Sequence, residues 1–468
     1  MLFTAPAFIF LFLPFALLFC VIFGKNHKKL CLICVCAAFH IMLNLNYLQN
    51  LVWLPLLILY AYFSAQICFT NKHRLLGILM GAVPIVWLIL MRQLAYFSDF
   101  GYVYPVGITL PAMCAAGYIW NAVYGDAPEE NFWELWLYIT FFPIMLVGPF
   151  IDYSSFKALT HAENLKISLE RCCSGIKLFI LGFVKRIAIG AVLVEGYGKI
   201  FAYSWEAPNL SIVLLLIVLI YFGVFFTLSG YYDMASGVSR MLGVDVPEVE
   251  AHPFRVATVN EYSKSLFGEA RKWTYRYVVS PISEATGRRM SDAFKISVIC
   301  ICTVILIRTG VEALALCIPM TLFCVISSTL KLDKERKKGR TGLRLLFGVF
   351  TVMAIGAFWM FITMSVGSPS VFDYVTEISF NNAEYQTDMV LIAFSGKKYL
   401  FIILLGLITL IPRTRWIMAK KQRLKGRLLV AVDYLSLAVC LALFVVCAAL
   451  FLPRFEIYDY MPFKYIVV

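Results

Sequence analysis

The residues best suited to chemistry lie in a polar block, residues 229–281, which is set between long apolar runs. Ionisable residues inside apolar membrane sequence are costly and typically mark a working site. The block contributes a carboxylate at Asp233 and its only histidine at His252. A carboxylate can orient an acceptor group, and imidazole can act as a general base near neutral pH. We expect the site to be lined by Tyr231, Asp233, His252, Glu269, Arg271, Lys272 and Trp273, with Arg308 further along the chain.

Two of these residues have structural alternatives that the sequence leaves open. Asp233 could accept hydrogen bonds from Ser229 or Tyr231, or cap a helix, instead of orienting an acceptor inside a tunnel. His252 precedes Pro253, a setting that is more typical of a turn residue than of a relocated base.

The composition indicates the class of protein. Of 468 residues, 61% are hydrophobic and 15% are charged, whereas soluble domains carry about 25% charged residues. Nearly charge-free runs occupy 8–23, 212–228, 346–364 and 429–452. These runs approach or exceed the roughly 20 residues that a membrane-spanning helix needs. We therefore predict an all-α, polytopic integral membrane protein with about 11 to 13 membrane helices.

The basic residues predict an orientation in the membrane. The net charge of +13 comes largely from short loops at 25–29, 71–74, 331–344 and 413–427. Because cytoplasmic loops carry an excess of Lys and Arg, we place these four loops in the cytoplasm and the N-terminus outside the cell. The pattern favours the plasma membrane, with the lipid bilayer and not nucleic acid as the partner. We interpret residues 1–23 as a retained first helix, since they lack a basic flank and a clear cleavage site.

We interpret residues 1–468 as one domain, with N-terminal helices at 1–100, a core at 101–330 and C-terminal helices at 331–468. Four hydrophobic spans are expected within 1–96, followed by spans at 105–124 and 132–150. The apolar run 176–202 contains Lys185 and Arg186, which we expect to reach for a phosphate or an interface. The polar block is too polar to span lipid. We expect it to line a cavity as irregular or short-helical structure, with an amphipathic surface helix as the alternative.

The cysteines do not indicate a metal site. There are fourteen, and they lie in or beside apolar runs. Cys31 and Cys34 form a CxxC pair, but no matching second pair or histidine cluster accompanies it. We interpret the cysteines as small hydrophobic residues of membrane helices.

Several motifs, taken in order, resemble the membrane-bound O-acyltransferase family. The resemblance is to its bacterial branch, which serves alginate acetylation, peptidoglycan acetylation and teichoic-acid D-alanylation. The strongest motif is S-G-Y-Y-D-M-A at 229–235, close to the family's F-S-G-Y-S-D-M-A. Further matches are P-V-G-I-T-L at 105–110, F-F-P at 141–143, V-G-P-F at 147–150, the pattern through 247–281 and W-M-F at 359–361. The resemblance implies a helical domain around a central funnel or tunnel that holds the polar block.

Two family positions carry different residues in this chain. Active members use a tunnel-buried histidine as general base on the acceptor hydroxyl, and Thr309 stands at the corresponding position. Phe267 replaces the histidine of the polar block. Neither side chain can take up a proton near neutral pH as imidazole does. The resemblance therefore leaves the catalytic residue unknown.

The resemblance implies transfer of acyl groups from a cytoplasmic thioester to an extracellular envelope polymer or partner. The donor would be acyl-CoA or an acyl carrier protein, with no bound cofactor, and a secreted or membrane-anchored acyltransferase is an expected partner. Glu269 and Arg271 could then supply an acid or a contact to the thioester's phosphate, although a solvated ion pair is favoured. Arg308 is expected to face the tunnel or the interface. The alternative is a catalytically inactive scaffold, receptor or passage for acyl or lipid groups.

Overall fold

The computed structural model describes most of the N-terminal two thirds of the chain and three C-terminal helices. The described residues are 3–45, 47–71, 73–97, 107–129, 131–146, 150–161, 165, 167–204, 209–249, 253, 258–286, 294–295, 297–298, 321–323, 325–326, 341–364, 385–409 and 427–451. Within those ranges the chain is 87% helical and has no β-strand. The predicted all-α class is therefore confirmed.

The helices vary from one turn to more than eight turns. They are α1 (Leu13–Leu43), α2 (Trp53–Asn71), α3 (Arg74–Phe97), α4 (Thr109–Val123), α5 (Phe132–Thr140), α6 (Phe142–Met145), α7 (Tyr153–Leu159), α8 (Leu169–Val184), α9 (Val192–Tyr203), α10 (Leu210–Met241), α11 (Val259–Leu266), α12 (Gly268–Thr274), α13 (Ser280–Thr286), α14 (Thr341–Met364), α15 (Tyr385–Thr409) and α16 (Arg427–Phe451). Phe8–Phe12, Lys185–Ala191 and Tyr275–Val279 are π-helical, and Leu48–Val52 is a 3₁₀ helix.

Several of these helices have the character of membrane spans. Leu48–Asn71, Arg74–Met91 and Leu210–Met241 are long and apolar enough to cross a membrane by length and composition. Phe8–Gly24, Leu346–Met360 and Tyr434–Leu450 are shorter apolar helices. Together they support an integral membrane protein. The predicted total number of spans includes stretches outside the described residues, such as 301–320.

The first basic loop divides the long helix α1. His27 has non-helical backbone angles, φ −131° and ψ 51°, so that two helical segments meet there at a kink. Beside the kink, the Lys28 ammonium donates to the Leu165 carbonyl at 2.8 Å, and Lys29 pairs with Glu134 at 2.5 Å. With α2 and α3, these segments give four helical segments where four spans were predicted.

Residues 132–150 do not form the single span that their hydrophobicity predicts. The α5 helix is only about 14 Å long at 1.5 Å per residue, and it ends at Thr140 because the next residue, Phe141, has the non-helical angles φ −58° and ψ 97°. The chain then returns to the level at which α5 begins. The evidence is that the Tyr153 hydroxyl donates at 2.7 Å to Glu129, which lies just before α5. The segment therefore enters and leaves at one face of the bundle, which we call the basic-loop face because Lys28 and Lys29 lie there.

The centre of the bundle is α10, whose apolar window is 72% buried. A continuous helical rod, made of α8, Lys185–Ala191 and α9, runs antiparallel to it. Glycines bring the two backbones together: an ideal Cβ on Gly182 would lie 2.5 Å from the Gly230 carbonyl oxygen, and one on Gly175 would lie 2.6 Å from that of Gly237. Small residues at such crossings let membrane helices pack by backbone contact. This rod and α10 position the interior polar residues.

Candidate functional site

The polar block begins as a continuation of α10. Residues 229–241 remain helical, so the span extends well beyond the apolar run that ends at 228. Some of their buried polar side chains find partners within the helix or on the rod; the Ser239 hydroxyl, for example, donates to the Ala235 carbonyl at 2.8 Å. The block therefore divides into a helical part, 229–241, and a second part, up to residue 281, whose described residues fold back.

The second part of the block returns deep into the bundle. The Tyr221 hydroxyl donates to the Pro253 carbonyl at 3.2 Å, and the rings of Tyr221 and Tyr262 have centroids 5.9 Å apart. Tyr221 lies about 30 Å from the C-terminal end of α10, at 1.5 Å per residue. A helix lying on the membrane surface could not make these contacts. Pro253 and Tyr262 of the block thus lie within the protein and not on its surface.

Two short helices in this part present polar side chains. Thr258 caps α11 by accepting from the Glu261 backbone at 3.2 Å. Arg271 on α12 donates to Asn260 and, at 3.0 Å, to the Ser263 hydroxyl. These bonds tie α12 to α11 and hold the guanidinium in place.

Glu269 forms a solvated ion pair with Lys272, from which it accepts at 2.6 Å; the pair is largely exposed on the Lys272 side. The physical reason is helical spacing, because residues three apart lie on one face whereas residues two apart do not. Lys272 is thus engaged in a surface pair, and Arg271 points toward α11.

Trp273 closes an aromatic cluster near the basic-loop face. Its ring centroid lies 5.7 Å from that of Trp120 and 5.5 Å from that of Tyr277. The Tyr277 hydroxyl donates to the Asn121 side-chain oxygen at 2.7 Å. Gly117 makes room for the indole, since an ideal Cβ there would lie 2.9 Å from the Trp273 Nε1. Trp273 therefore anchors the returning block against α4.

A buried ion pair joins the rod to α10. The Lys185 Nζ lies 2.6 Å from Asp233 Oδ2 and 3.4 Å from the Ser229 hydroxyl oxygen. Lys185 and Asp233 are only 5% and 7% exposed. Asp233 therefore neither caps a helix nor faces lipid; it neutralises a lysine in the interior.

Lys185 and Arg186 do not reach for a phosphate or an interface as predicted. Both are buried between the rod and α10, with Arg186 only 2% exposed. The Arg186 guanidinium carbon lies 5.3 Å from the centroid of the Tyr231 ring, in cation–π contact. Their long side chains turn inward because a carboxylate and an aromatic face are available across the helix contact. Tyr231 itself is buried, and its hydroxyl has no hydrogen-bond partner among the described residues.

The structure describes one of the two positions at which the resembled family carries histidine. Phe267 lies at the junction of α11 and α12 and packs against the core, with its ring centroid 6.4 Å from that of Tyr262. Its phenyl ring can donate or accept no proton there. Thr309, Arg308 and His252 lie outside the described residues.

Sequence reasoning missed a polar cleft at the basic-loop face. The cleft has a volume of about 550 Å³ and lies between the 124–129 turn, α7 and the returning block. Its polar lining comprises Tyr118, Asn121, Asp126, Glu129, Tyr153, Ser154, Lys157 and Arg276. Arg276 bridges the cleft to Asp126 at 3.3 Å. The signal that could have revealed it is the charged turn at 125–131, between the predicted spans at 105–124 and 132–150.

Glu129 organises this cleft. Burial raises the pKa of a carboxyl, but in Glu129 hydrogen bonds from Lys157 and Tyr153 outweigh that effect and lower its pKa below the usual range. A carboxylate with a lowered pKa stabilises the fold at every pH above its unfolded-state value, about 4.3. That contribution is lost as the pH falls through the lowered pKa.

We expect Glu129→Gln to destabilise the protein at pH 7 by about 1 kcal/mol, because bonds to a charged acceptor are lost from a partly screened site. Below pH 4 the difference from the unaltered protein should shrink, since Glu129 is then being protonated. Thermal unfolding in detergent at a series of pH values measures both effects. Glu269→Gln, which removes an exposed pair, is the matched control and should change little; an equal loss in both variants would contradict the assignment.

The described residues include no group of three His, Cys, Asp or Glu side chains that could hold a metal ion.

Comparisons with known proteins give distant relatives of one kind. The chain is 22% identical over 289 residues to a probable alginate O-acetylase of Pseudomonas fluorescens, covering 59% of this chain and 56% of that protein. It is 22% identical over 342 residues to a peptidoglycan O-acetyltransferase of Helicobacter pylori, covering 62% and 63%. A shorter match, 25% identical over 176 residues, is to a probable alginate O-acetylase of Pseudomonas aeruginosa and covers 37% and 33%.

The chain thus matches at most about three fifths of the length of these relatives. It matches no protein-family model. The relatives and the helical architecture agree with the motif resemblance at the level of the family. Over part of its length, the chain is therefore similar to proteins named as O-acetylases and O-acetyltransferases.

Proposed function

We propose that this protein takes an acyl group from a cytoplasmic thioester and delivers it to a hydroxyl acceptor of the cell envelope outside the membrane. The donor is acyl-CoA or an acyl carrier protein, and the acceptor is an envelope polymer or a secreted or membrane-anchored partner. The N-terminus lies outside the cell and the basic loops lie in the cytoplasm. The basic-loop face, with its polar cleft, is therefore on the same side of the membrane as the thioester donor. The names of the relatives support acetyl as the first acyl group to test.

One observation carries the proposal: the polar block folds back from the end of α10 to the level of Tyr221. Irregular polar backbone at membrane depth is tolerated only where it is buried in protein or lines a cavity. A chain that only anchored itself in lipid would have no reason to carry this cost. An acyltransferase that passes its substrate through the membrane does need polar groups at that depth.

The proposed reaction proceeds without the family's histidine base. A hydroxyl must lose its proton as it attacks a thioester, and loss of a general base typically lowers the rate about 10²- to 10⁴-fold. Positioning of donor and acceptor still accelerates transfer. We therefore expect slow turnover by the unaltered protein.

The test supplies the purified protein with acetyl-CoA and either alginate oligosaccharides or peptidoglycan fragments, and follows acetyl ester formation by mass spectrometry. We expect a low rate that Thr309→His raises by about 10²- to 10⁴-fold, because imidazole is restored at the family's position. Thr309→Gln is the matched control for a change of size without a base.

A second candidate function is a non-catalytic scaffold or passage for acyl or lipid groups. The packing of Phe267 favours it, because an apolar ring fills a position where the family carries imidazole. This candidate predicts no ester with the unaltered protein and none with Thr309→His, while the protein stays folded. Fast turnover by the unaltered protein would instead contradict the missing-base account and reveal another base.

A further inference from the structure

An apolar groove lies on the lipid-facing side of the bundle between α10 and α15. Its volume is about 390 Å³, and it is lined by Leu215, Val218 and Leu219 of α10 and by Lys397, Leu400 and Ile403 of α15. Leu214 and Leu400 are 43% and 57% exposed, so the groove opens toward the acyl chains of the bilayer. It is much too small for a transmembrane helix, which is about 10 Å wide along its whole length.

The depth of the groove follows from the helices beside it. An ideal Cβ on Gly406 of α15 would lie 2.5 Å from the Phe226 ring of α10. An ideal Cβ on Gly196 of α9 would lie 2.4 Å from the Tyr399 ring of α15. Because the rod runs antiparallel to α10, Gly196 lies nearer the N-terminal end of α10 than Phe226 does. Helix α15 therefore runs parallel to α10, with Lys397 toward the N-terminal end of α10 and Ile403 deeper. Leu219 lies about 14 Å from that end, at 1.5 Å per residue. The groove thus occupies the leaflet opposite the basic-loop face.

Basic side chains lie at the end of the groove that is closer to the membrane surface. Lys397 and Lys398 are both exposed, and the Lys398 ammonium lies 5.3 Å from the centroid of the Tyr399 ring. Lys199 of α9 acts electrostatically on the same tyrosine and pairs with Glu195 at 2.5 Å. Among the described side chains, no carboxylate pairs with Lys397 or Lys398. Three lysines against one glutamate leave a local excess of positive charge at the edge of the hydrocarbon.

We infer that this groove binds an anionic phospholipid. One acyl chain lies along Leu215, Val218 and Ile403, and the phosphate lies between the ammonium groups of Lys397 and Lys398. Lysine stems extend along apolar surface while their charged heads reach the interface, which is the level of a lipid phosphate. Basic pockets between membrane helices are a known form of recognition for anionic head groups. The charge pattern therefore selects a lipid by its head group, and the groove selects a lipid over free phosphate.

The experiment titrates the purified full-length protein in detergent with phosphatidylglycerol, phosphatidylcholine or inorganic phosphate. Native mass spectrometry counts bound lipid, and thermal unfolding measures stabilisation. We expect phosphatidylglycerol to bind and raise the Tm, phosphatidylcholine to bind more weakly and inorganic phosphate to have no effect. Lys397→Gln with Lys398→Gln should weaken binding about fivefold for each lysine removed. Val218→Trp should weaken it by filling the groove.

Arg74→Gln is the control, because it removes one exposed cation at the opposite face and should leave binding unchanged. Equal binding of phosphatidylglycerol and phosphatidylcholine would overturn the inference, as would binding that survives loss of both lysines. Stabilisation by inorganic phosphate alone, unaffected by Val218→Trp, would overturn the assignment to a lipid. If the double-lysine variant fails to fold, the lipid selectivity of the unaltered protein and Val218→Trp still decide the question.

Discussion

Asp233→Ala should destabilise the folded protein by about 3–5 kcal/mol, because it leaves the Lys185 ammonium buried without its counter-charge. The two groups lie 2.6 Å apart and are almost inaccessible to solvent. Removing one member of a buried ion pair is costly because the remaining charge keeps its desolvation penalty and loses its compensation. Lys185→Met should cost about as much for the same reason, now with an unpaired carboxylate.

The double variant Lys185→Met with Asp233→Leu should recover most of this loss. Replacing a whole buried pair by apolar residues of similar volume is often neutral or stabilising. The four proteins form a double-mutant cycle, measured by thermal or denaturant unfolding in one detergent. Additive losses in the double variant would contradict direct pairing of the two residues.

The same double-mutant cycle distinguishes a purely structural role of the Lys185–Asp233 pair from a role in acyl transfer. If the pair serves only to hold the rod against α10, the folded double variant should keep whatever acyl transfer the unaltered protein shows. If Asp233 also orients an acceptor, the double variant should be folded and inactive. Retained transfer would assign the pair a structural role alone, and loss of transfer in the folded double variant would assign Asp233 a further role at the acceptor.

Gly182→Leu should leave little folded protein, because its side chain would have to displace backbone. An ideal Cβ at Gly182 already lies 2.5 Å from the Gly230 carbonyl oxygen and 2.7 Å from the Met234 nitrogen. Forcing extra atoms into a packed interior costs typically about 1–3 kcal/mol when side chains can move. Here the neighbours are main-chain atoms of α10, so we expect a larger cost.

Gly198→Ala is the matched control on the same rod. No atom lies within 4 Å of the Cβ it would add. Replacing a helical glycine by alanine at an unstrained position stabilises by roughly 0.5–1 kcal/mol. The yield of monodisperse protein after size-exclusion chromatography, with the Tm, measures both variants. Normal yield and Tm for Gly182→Leu would contradict the close crossing of the rod and α10.

Local sequence patterns were enough to predict the helical class and several of the apolar helices. They failed at 132–150, where hydrophobicity predicts one span. The composition of that stretch is apolar enough to cross, but the break at Phe141 and the bond from Tyr153 to Glu129 return the chain to its starting face. Hydropathy measures only transfer to lipid, so it cannot separate a span from an apolar hairpin buried in protein.

The two members of the interior ion pair could be identified from the sequence, but their contact could not. Asp233 was recognisable as a costly intramembrane charge, and Lys185 as a cation in an apolar run, but their contact joins positions 48 residues apart. A usable signal was present: Gly182 stands one turn before Lys185, and Gly230 stands one turn before Asp233. Opposite charges that follow small residues on two apolar helices indicate a close crossing with a pair inside it.

We propose that acyl groups pass from a thioester on the basic-loop side to an acceptor on the other side. The most direct measurement reconstitutes the protein in sealed vesicles, with labelled acetyl-CoA outside and alginate oligosaccharide enclosed. Cleavage of the basic loops by added protease reports the fraction of the protein whose basic loops face outward. We expect labelled ester on the enclosed acceptor only where those loops face the donor, and we expect it to form faster with Thr309→His. Folded protein that labels no acceptor in either orientation, with or without the restored histidine, would contradict it.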